Sequence, residues 1–328
     1  MLFVYIFGGI LLFLIISCFI LCLVIHNMYF NHRFVEDSDI KLFSFDEFDL
    51  EKEAVEIPFN KKEYLRGAFY YKEGYNPKKI VVYSHGMFSD HKSYMQDIAY
   101  FALKGYFVLG FDYYGTSLSD GKNLKSFGNS LESLDKAICF LKNNPKYSDK
   151  EIYVVGHSWG GYATSNIVSL HPDIKGICAI SPFNSSYEII KTSIPKGIRF
   201  LAPIVYFIDF CIGKKYSKYK GYESVSSYQG KVMLIQSKND HVVKFDIGVG
   251  EIKEKTTNKN VLYIINDGRY HNPNYTDEAL QMMFKFYQES SKLKGEELSN
   301  YKKNFDFHKM GELDSKIMDR IVSDIIEG

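Results

Sequence analysis

The residues best placed to do chemistry lie in Gly156-His157-Ser158-Trp159-Gly160-Gly161. Ile152-Tyr153-Val154-Val155 before them is a short β-branched and aromatic run suited to a doubly buried strand, and Tyr162 to Leu170 after them has helical composition. A strand turning abruptly into a helix around Gly-x-Ser-x-Gly is the nucleophile-elbow pattern, in which the serine sits in a strained turn and the glycines make room for chain and substrate. Ser158 is therefore the candidate nucleophile; the plainer reading is that small residues merely ease a tight turn.

A serine hydroxyl is a poor nucleophile near neutral pH and needs a base. Of the nine histidines, His26 and His32 follow the apolar N-terminal run, His308 lies in the tail, and His171 at the far end of the helix after the elbow. His91 opens a helix, and His157 should point away from its neighbour Ser158. His85 and His241 lie on plausible site loops. His271, after the last expected strand in Asn266-Asp267-Gly268-Arg269-Tyr270-His271-Asn272-Pro273, is the candidate base. Asp240, just past another strand, is the candidate orienting carboxylate, with Asp267 as its rival and Asp209 behind it. Two backbone N–H groups must meet the developing oxyanion. Trp159, next to the nucleophile, and Met87, in the loop after Ile80 to Tyr83, are the expected donors. Gly86 permits the close turn, and His85 shapes that loop.

The elements that must hold these residues alternate as strand, loop, helix from Ile80 onward, which predicts an α/β fold: a mostly parallel sheet with helices on both faces. The strands are Ile80–Tyr83, Phe107–Phe111, Ile152–Val155, Ile177–Ile180, Val232–Ile235 and Val261–Ile265, preceded by an antiparallel hairpin of Ala54–Phe59 and Tyr64–Tyr71. Residues 183–230 interrupt the sheet with an amphipathic start and an apolar stretch, Ile198 to Ile212, broken by Pro203. This is expected to be a helical cap over the carboxyl ends of the strands, where open α/β sheets bind ligands.

Leu2 to Ile25 is 24 residues without a charge. That is roughly 36 Å of helix against a hydrocarbon core of about 30 Å, so a single-pass anchor is expected. A cleaved signal peptide is the rival, but no basic residue precedes the run and no small-x-small site follows it. Arg33 and Lys41 beyond it nudge the body towards the cytoplasm without deciding the side. The expected organisation is a membrane helix over residues 1–27, a juxtamembrane connector over 28–52 and a catalytic domain over 53–292. A tail over 293–328 carries an apolar stripe of Leu313, Ile317, Ile321 and Ile325 that should pack on the body.

A formal net charge of +1, from 40 basic and 39 acidic residues, argues against a nucleic-acid surface. The five cysteines form no framework; Cys18 and Cys22 sit in the anchor, and Cys139, Cys178 and Cys211 read as small buried hydrophobes. No metal motif or phosphate-binding loop is present, so neither metal nor cofactor is expected.

Taken together, His85-Gly86, Asp112-Tyr113-Tyr114-Gly115-Thr116-Ser117, the Ser158 hexapeptide, Asn239-Asp240-His241-Val242-Val243 and Tyr270-His271-Asn272 resemble the α/β-hydrolase superfamily. The nearest branch is that of serine aminopeptidases and monoacylglycerol-lipase-like enzymes, which includes membrane-anchored bacterial members. The resemblance spans about Tyr64 to Lys292. It implies a Ser158, Asp240 and His271 triad, oxyanion donors at Met87 and Trp159, and structural roles for His85, Gly86, Gly156 and Gly160. Tyr114 departs from the Arg or small residue common in relatives, so that loop gives no guide to substrate. The implied function is hydrolysis of an ester, thioester or amide through an acyl-enzyme, with the anchor and cap favouring a small-molecule or lipid acyl substrate. A peptidase of the same fold, or a non-catalytic binding module tethered to the membrane, are the alternatives.

Overall fold

The computed structural model describes residues 1–76 and 78–328. Its described residues form one eight-stranded sheet. In chain order the strands are β1 (Glu51–Pro58), β2 (Tyr64–Tyr71), β3 (Lys79–Ser84), β4 (Phe107–Phe111), β5 (Glu151–His157), β6 (Gly176–Ile180), β7 (Lys231–Ser237) and β8 (Val261–Asn266). The spatial order is β1-β2-β4-β3-β5-β6-β7-β8. β1 pairs with β2, and β2 with β4, antiparallel; every other pairing is parallel.

The apolar runs are continuous because the sheet is covered on both sides. Successive residues along a strand point to opposite faces. Accordingly Ile80, Val82, Val154, Ile177 and Leu234 join one core layer, while Val81, Tyr83, Val155, Cys178 and Ile235 join the other. The helices are α1 (Leu2–Phe30), α2 (Met95–Leu103), α3 (Asn129–Asn143), α4 (Trp159–Ile167), α5 (Ser186–Ser193), α6 (Ala202–Gly213), α7 (Gly221–Ser227), α8 (Val249–Lys255), α9 (Asp277–Ser290), α10 (Gly295–Asn304), α11 (Phe307–Met310) and α12 (Ser315–Ile321). Residues of α3, α4, α7 and α8 fill the first layer; α2 and α12 fill the second. Each fully buried large aliphatic contributes about 1.5–3 kcal/mol, so these layers dominate the stability.

The cap comprises α5, α6 and α7 with 3₁₀ turns between them. The apolar stretch at Ile198–Ile212 splits into a 3₁₀ segment, Lys196–Leu201, and α6, with Pro203 in the first turn of α6, where its missing N–H costs nothing. Cys211, expected to be buried, is exposed on α6, and Cys139 is half-buried.

At the N-terminus, α1 runs three residues past the expected end at 27. It is long and apolar enough to cross a membrane, a property that a signal sequence shares, and only 6% of its most apolar window is buried. The burial is confined to its last turns: Cys22, His26 and Phe30 lie four residues apart on the face turned to the body. Phe30 meets Phe127 edge-to-face at 4.9 Å, which carries the helix beyond its apolar run. Arg33, read from the sequence as a topological charge, instead donates to the carbonyls of Ser117, Ser119 and Gly121.

The connector is packed down as well. Phe43, Phe45, Phe48 and Leu50 lean on the second layer, and Ser44 and Glu47 form a reciprocal capping box. The C-terminal stripe is built into the same layer. Met318, Ile321, Ile325 and Ile326 are buried there, with α12 passing into a π-helical turn at Val322–Glu327. Ile325 lies over Gly176 of β6, where an added Cβ would come within 2.8 Å of its side chain. Ile325→Ala is expected to cost about 2–5 kcal/mol. Thermal or urea denaturation of the full chain measures this, and an unchanged midpoint would mean that the tail does not share the core.

Candidate active site

β5 delivers Ser158 directly into α4. The serine takes φ 57° and ψ −113°, a left-handed conformation rare for a residue with a side chain, and its N–H donates to the Ile180 carbonyl at 2.8 Å. Strain of this kind costs on the order of 1–3 kcal/mol and persists only where surrounding packing imposes it. Here the packing is explicit. A Cβ on Gly160 would fall inside the Ser84 carbonyl at the end of β3, and one on Gly156 would meet Thr164 Oγ1 and lie 2.6 Å from the Gly160 oxygen. The glycines of the motif thus let α4 cross the strand ends at backbone distance.

Two loops bring the partners. His271, on the loop between β8 and α9, has Nε2 2.9 Å from Ser158 Oγ. Its Nδ1 lies 2.8 Å and 3.0 Å from the two carboxylate oxygens of Asp240, just past β7. A carboxylate only accepts, so Nδ1–H donates to Asp240 and Nε2 is left to accept from the serine hydroxyl. Asp240 is 4% exposed and fixed in turn: its Oδ1 accepts from the N–H groups of Val242 and Val243, both at 2.9 Å, and its Oδ2 from Gln236 Nε2 at 3.2 Å. The rival carboxylates are elsewhere. Asp267 is exposed and pairs with Lys238, and Asp209 in the cap faces His26 at 3.4 Å while accepting from the Phe127 N–H.

The sequence did not disclose what holds His271. His157 points away from Ser158, as expected, but its Nε2–H donates to the His271 carbonyl at 2.9 Å, joined there by Ser181 Oγ at 2.9 Å. His157 Nδ1 accepts from the Tyr94 hydroxyl at 2.8 Å. Burial, aided by the charge of His271, presses the His157 pKa down to about 3, so the ring stays neutral and keeps this donor and acceptor pattern. The only sequence signal was a histidine touching the motif.

His85 ties its own loop to the loop after β4. Its Nε2 accepts from the Tyr113 N–H at 3.1 Å, its Nδ1–H donates to the Gly86 carbonyl at 2.7 Å, and burial lowers its pKa. Gly86 is required there, because a Cβ would come 2.5 Å from the Tyr94 hydroxyl oxygen. His91 forms a second buried histidine–carboxylate contact, Nδ1 to Asp112 Oδ1 at 2.6 Å, which braces the loops after β3 and β4 and is separate from the Ser158 cluster.

Met87 and Trp159 line the same cavity as Ser158 and His271, a space of about 420 Å³ with mostly apolar walls that include Phe127, Phe183 and Ile189. Trp159 is the first residue of α4, so its N–H has no partner within the helix. Tyr29, near the end of α1, also reaches this cavity. Among the described residues, Asp135, Cys139 and His171 come close enough together to suit a metal. Asp135, however, is bonded to His171 and the Tyr216 hydroxyl, and Lys142 Nζ lies 3.1 Å from the other His171 nitrogen, so the ligand atoms are taken.

A family model described as serine aminopeptidase, S33, matches residues 75–232, which include Ser158 but stop short of Asp240 and His271. A putative α/β hydrolase of Acanthamoeba polyphaga mimivirus is 24% identical over 173 residues, 52% of this chain and 59% of that protein, so the chain spans about three-fifths of that relative. The esterase Pf2001 of Pyrococcus furiosus superposes with a TM-score of 0.57 at 22% identity, covering 77% of this chain and 95% of that one. Est1E of Butyrivibrio proteoclasticus, solved with ferulic acid bound, gives 0.53 at 18% identity over 73% of this chain and all of that one. The chain has the α/β-hydrolase fold, and residues 75–232 of it match the serine aminopeptidase, S33, family model.

The loop carrying His271 rests on a buried acid. Asp97 of α2 accepts from the Tyr83 hydroxyl at 2.9 Å and from Asn274 Nδ2 at 3.1 Å. Burial raises its pKa to about 7. The folded state therefore holds a proton that the unfolded chain releases near pH 4, and stability should fall as pH rises from about 4 to about 7, by on the order of 4 kcal/mol. In Asp97→Asn that component of the slope should vanish. Unfolding midpoints of both proteins across this range measure it, and parallel curves would refute the assignment.

Proposed function

We propose that this α/β-hydrolase cleaves acyl esters through a covalent acyl-enzyme. The observation carrying this reading is the unbroken hydrogen-bonded line Ser158–His271–Asp240, at 2.9 Å and 2.8 Å. Ser158 Oγ attacks the acyl carbon while His271 Nε2 takes its proton; Asp240 holds the ring and stabilises its positive charge. The N–H groups of Met87 and Trp159 receive the negative oxygen of the tetrahedral intermediate. His271 then returns the proton to the leaving alcohol, and water attacks the acyl-enzyme by the same route.

The matched family's description also raises an aminopeptidase. Such an enzyme has to hold a free α-ammonium group, which calls for a carboxylate at the pocket wall. Among the described residues lining the cavity around Ser158 there is no Asp or Glu. The apolar wall favours an ester with an apolar acyl or alcohol part, and four of the similar solved structures, three of them of one protein, carry esterase in their descriptions. Retention of α1 as a membrane anchor fits the same picture, since removing it would strip cover from Phe127 and the cap. This leaves the binding-module alternative without an account of the aligned Ser158, His271 and Asp240.

Ser158→Ala should abolish labelling by a fluorophosphonate probe and lower ester hydrolysis by about 10⁴-fold or more, and Asp240→Asn should lower kcat by about 10⁴-fold. Undiminished labelling of Ser158→Ala would sink the nucleophile assignment. A clear preference for aminoacyl amides over acyl esters would replace the ester reading with the peptidase one.

A further inference from the structure

A second cavity, of about 340 Å³, lies against the catalytic one. Both volumes fall in the range of about 300–1,000 Å³ usual for ligand sites. The outer walls come from segments beyond the family match: connector residues between Phe34 and Phe43, and Phe307 to Gly311 of the tail, with Phe286 of α9. Five residues, Phe88, Ser89, Tyr94, Met283 and Tyr287, line both cavities and so form the partition between them.

Phe88 stands out in that partition. It directly follows Met87, adopts φ +55° although it is a bulky aromatic, and remains 48% exposed. Its ring stacks on His32 of the connector, 5.4 Å between centroids. A left-handed phenylalanine that gains so little burial is an outlier, and such strain gathers at ligand clamps and gates. An exposed side chain of this kind changes rotamer within nanoseconds.

The second cavity is lined mainly by apolar side chains. Ile40, Leu42, Phe43, Phe286, Phe307 and Met310 face it. The two carboxylates at its edge are engaged, Asp37 by Lys302 and Glu36 by Lys92 at 4.0 Å. Polar groups are present at the wall, with Gln96 donating to the Tyr275 hydroxyl at 2.9 Å and the Tyr287 hydroxyl also lining it, but a mostly apolar wall whose carboxylates are paired suits an alkyl chain better than a peptide or a sugar.

We propose that this cavity is the subsite for the alkyl chain of the substrate, entered from Ser158 past Phe88, which makes the substrate a long-chain amphiphilic ester. The inference rests on the ester-hydrolase reading, and adds to it that the connector and tail set chain-length preference.

The test uses the full-length protein in phosphatidylcholine nanodiscs and compares labelling rates for ethyl and dodecyl fluorophosphonates. In each reaction Ser158 Oγ bonds to phosphorus and fluoride leaves. The wild type should react with the dodecyl probe at least about tenfold faster, the worth of two buried methylenes. Val35→Trp on the connector wall and Met310→Trp on the tail wall should each cut that ratio by about fivefold or more, equivalent to losing one to two buried methylenes. Val35 is 69% exposed, so tryptophan there displaces no core residue and keeps the test open if Met310→Trp misfolds. A wild-type ratio near one, or a ratio unmoved by Val35→Trp, overturns the subsite while leaving Ser158 as nucleophile. Failure of both probes to label the wild type would instead sink the nucleophile reading, and the subsite with it.

Discussion

The crossing of α4 over the end of β3, where Gly160 lies against the Ser84 carbonyl, is the constraint on which the site depends. Backbone meets backbone there, with no side chain to act as a cushion, so the helix has one position and the turn before it one shape. That shape puts Ser158 at φ 57°. The partners are then held to the serine by main-chain fixings: Val242 and Val243 N–H groups on Asp240, and His157 and Ser181 on the His271 carbonyl. Each side chain of the proposed catalytic line is thereby aimed by a group one step behind it, the kind of support that proton transfer demands of a site.

How much of this was legible depends on how local the cause is. The strand–turn–helix around Ser158 is written in consecutive residues, and the buried strands declare themselves as apolar runs because both faces of the sheet are covered. Asp240 and His271 could be nominated from their positions just past strands, since topology brings strand ends together. The grip of His157 on His271 could not, because it depends on how a loop more than a hundred residues away folds back. The connector was equally opaque. Phe34, Phe43, Phe45 and Phe48 follow no helical or strand period, so their docking is decided by surfaces that only the finished fold supplies. His26 and Asp209 illustrate the same limit, one on α1 and the other on α6, 183 positions apart.

Elements outside the shared hydrolase pattern are structurally continuous with it. α1 gives Phe30 to the first core layer, and the C-terminal segment gives Met318, Ile321 and Ile325 to the second. Lys302 and Lys303 of α10 reach Asp37 and Asp39 of the connector, so the two ends of the chain are pinned to one another over α9. The last turns of α1, the connector, the body and the tail, separate along the sequence, are one packed object in space.

The exposure pattern of α1 has a geometric consequence for an anchored protein. Leu2 to Ser17 stand clear of the body on every side, while from Cys18 onward one face of the helix is covered. About 16 free residues make roughly 24 Å of helix, less than the roughly 30 Å of a hydrocarbon core. With α1 retained as an anchor, the shortfall would be met by the body sinking towards the lipid headgroups beside its own stem, where the neighbouring surface is α6, with Phe207, Phe210 and Ile212 facing outward. The molecule would ride in the bilayer like a moored hull, with its cap below the waterline and little freedom to swing on its tether.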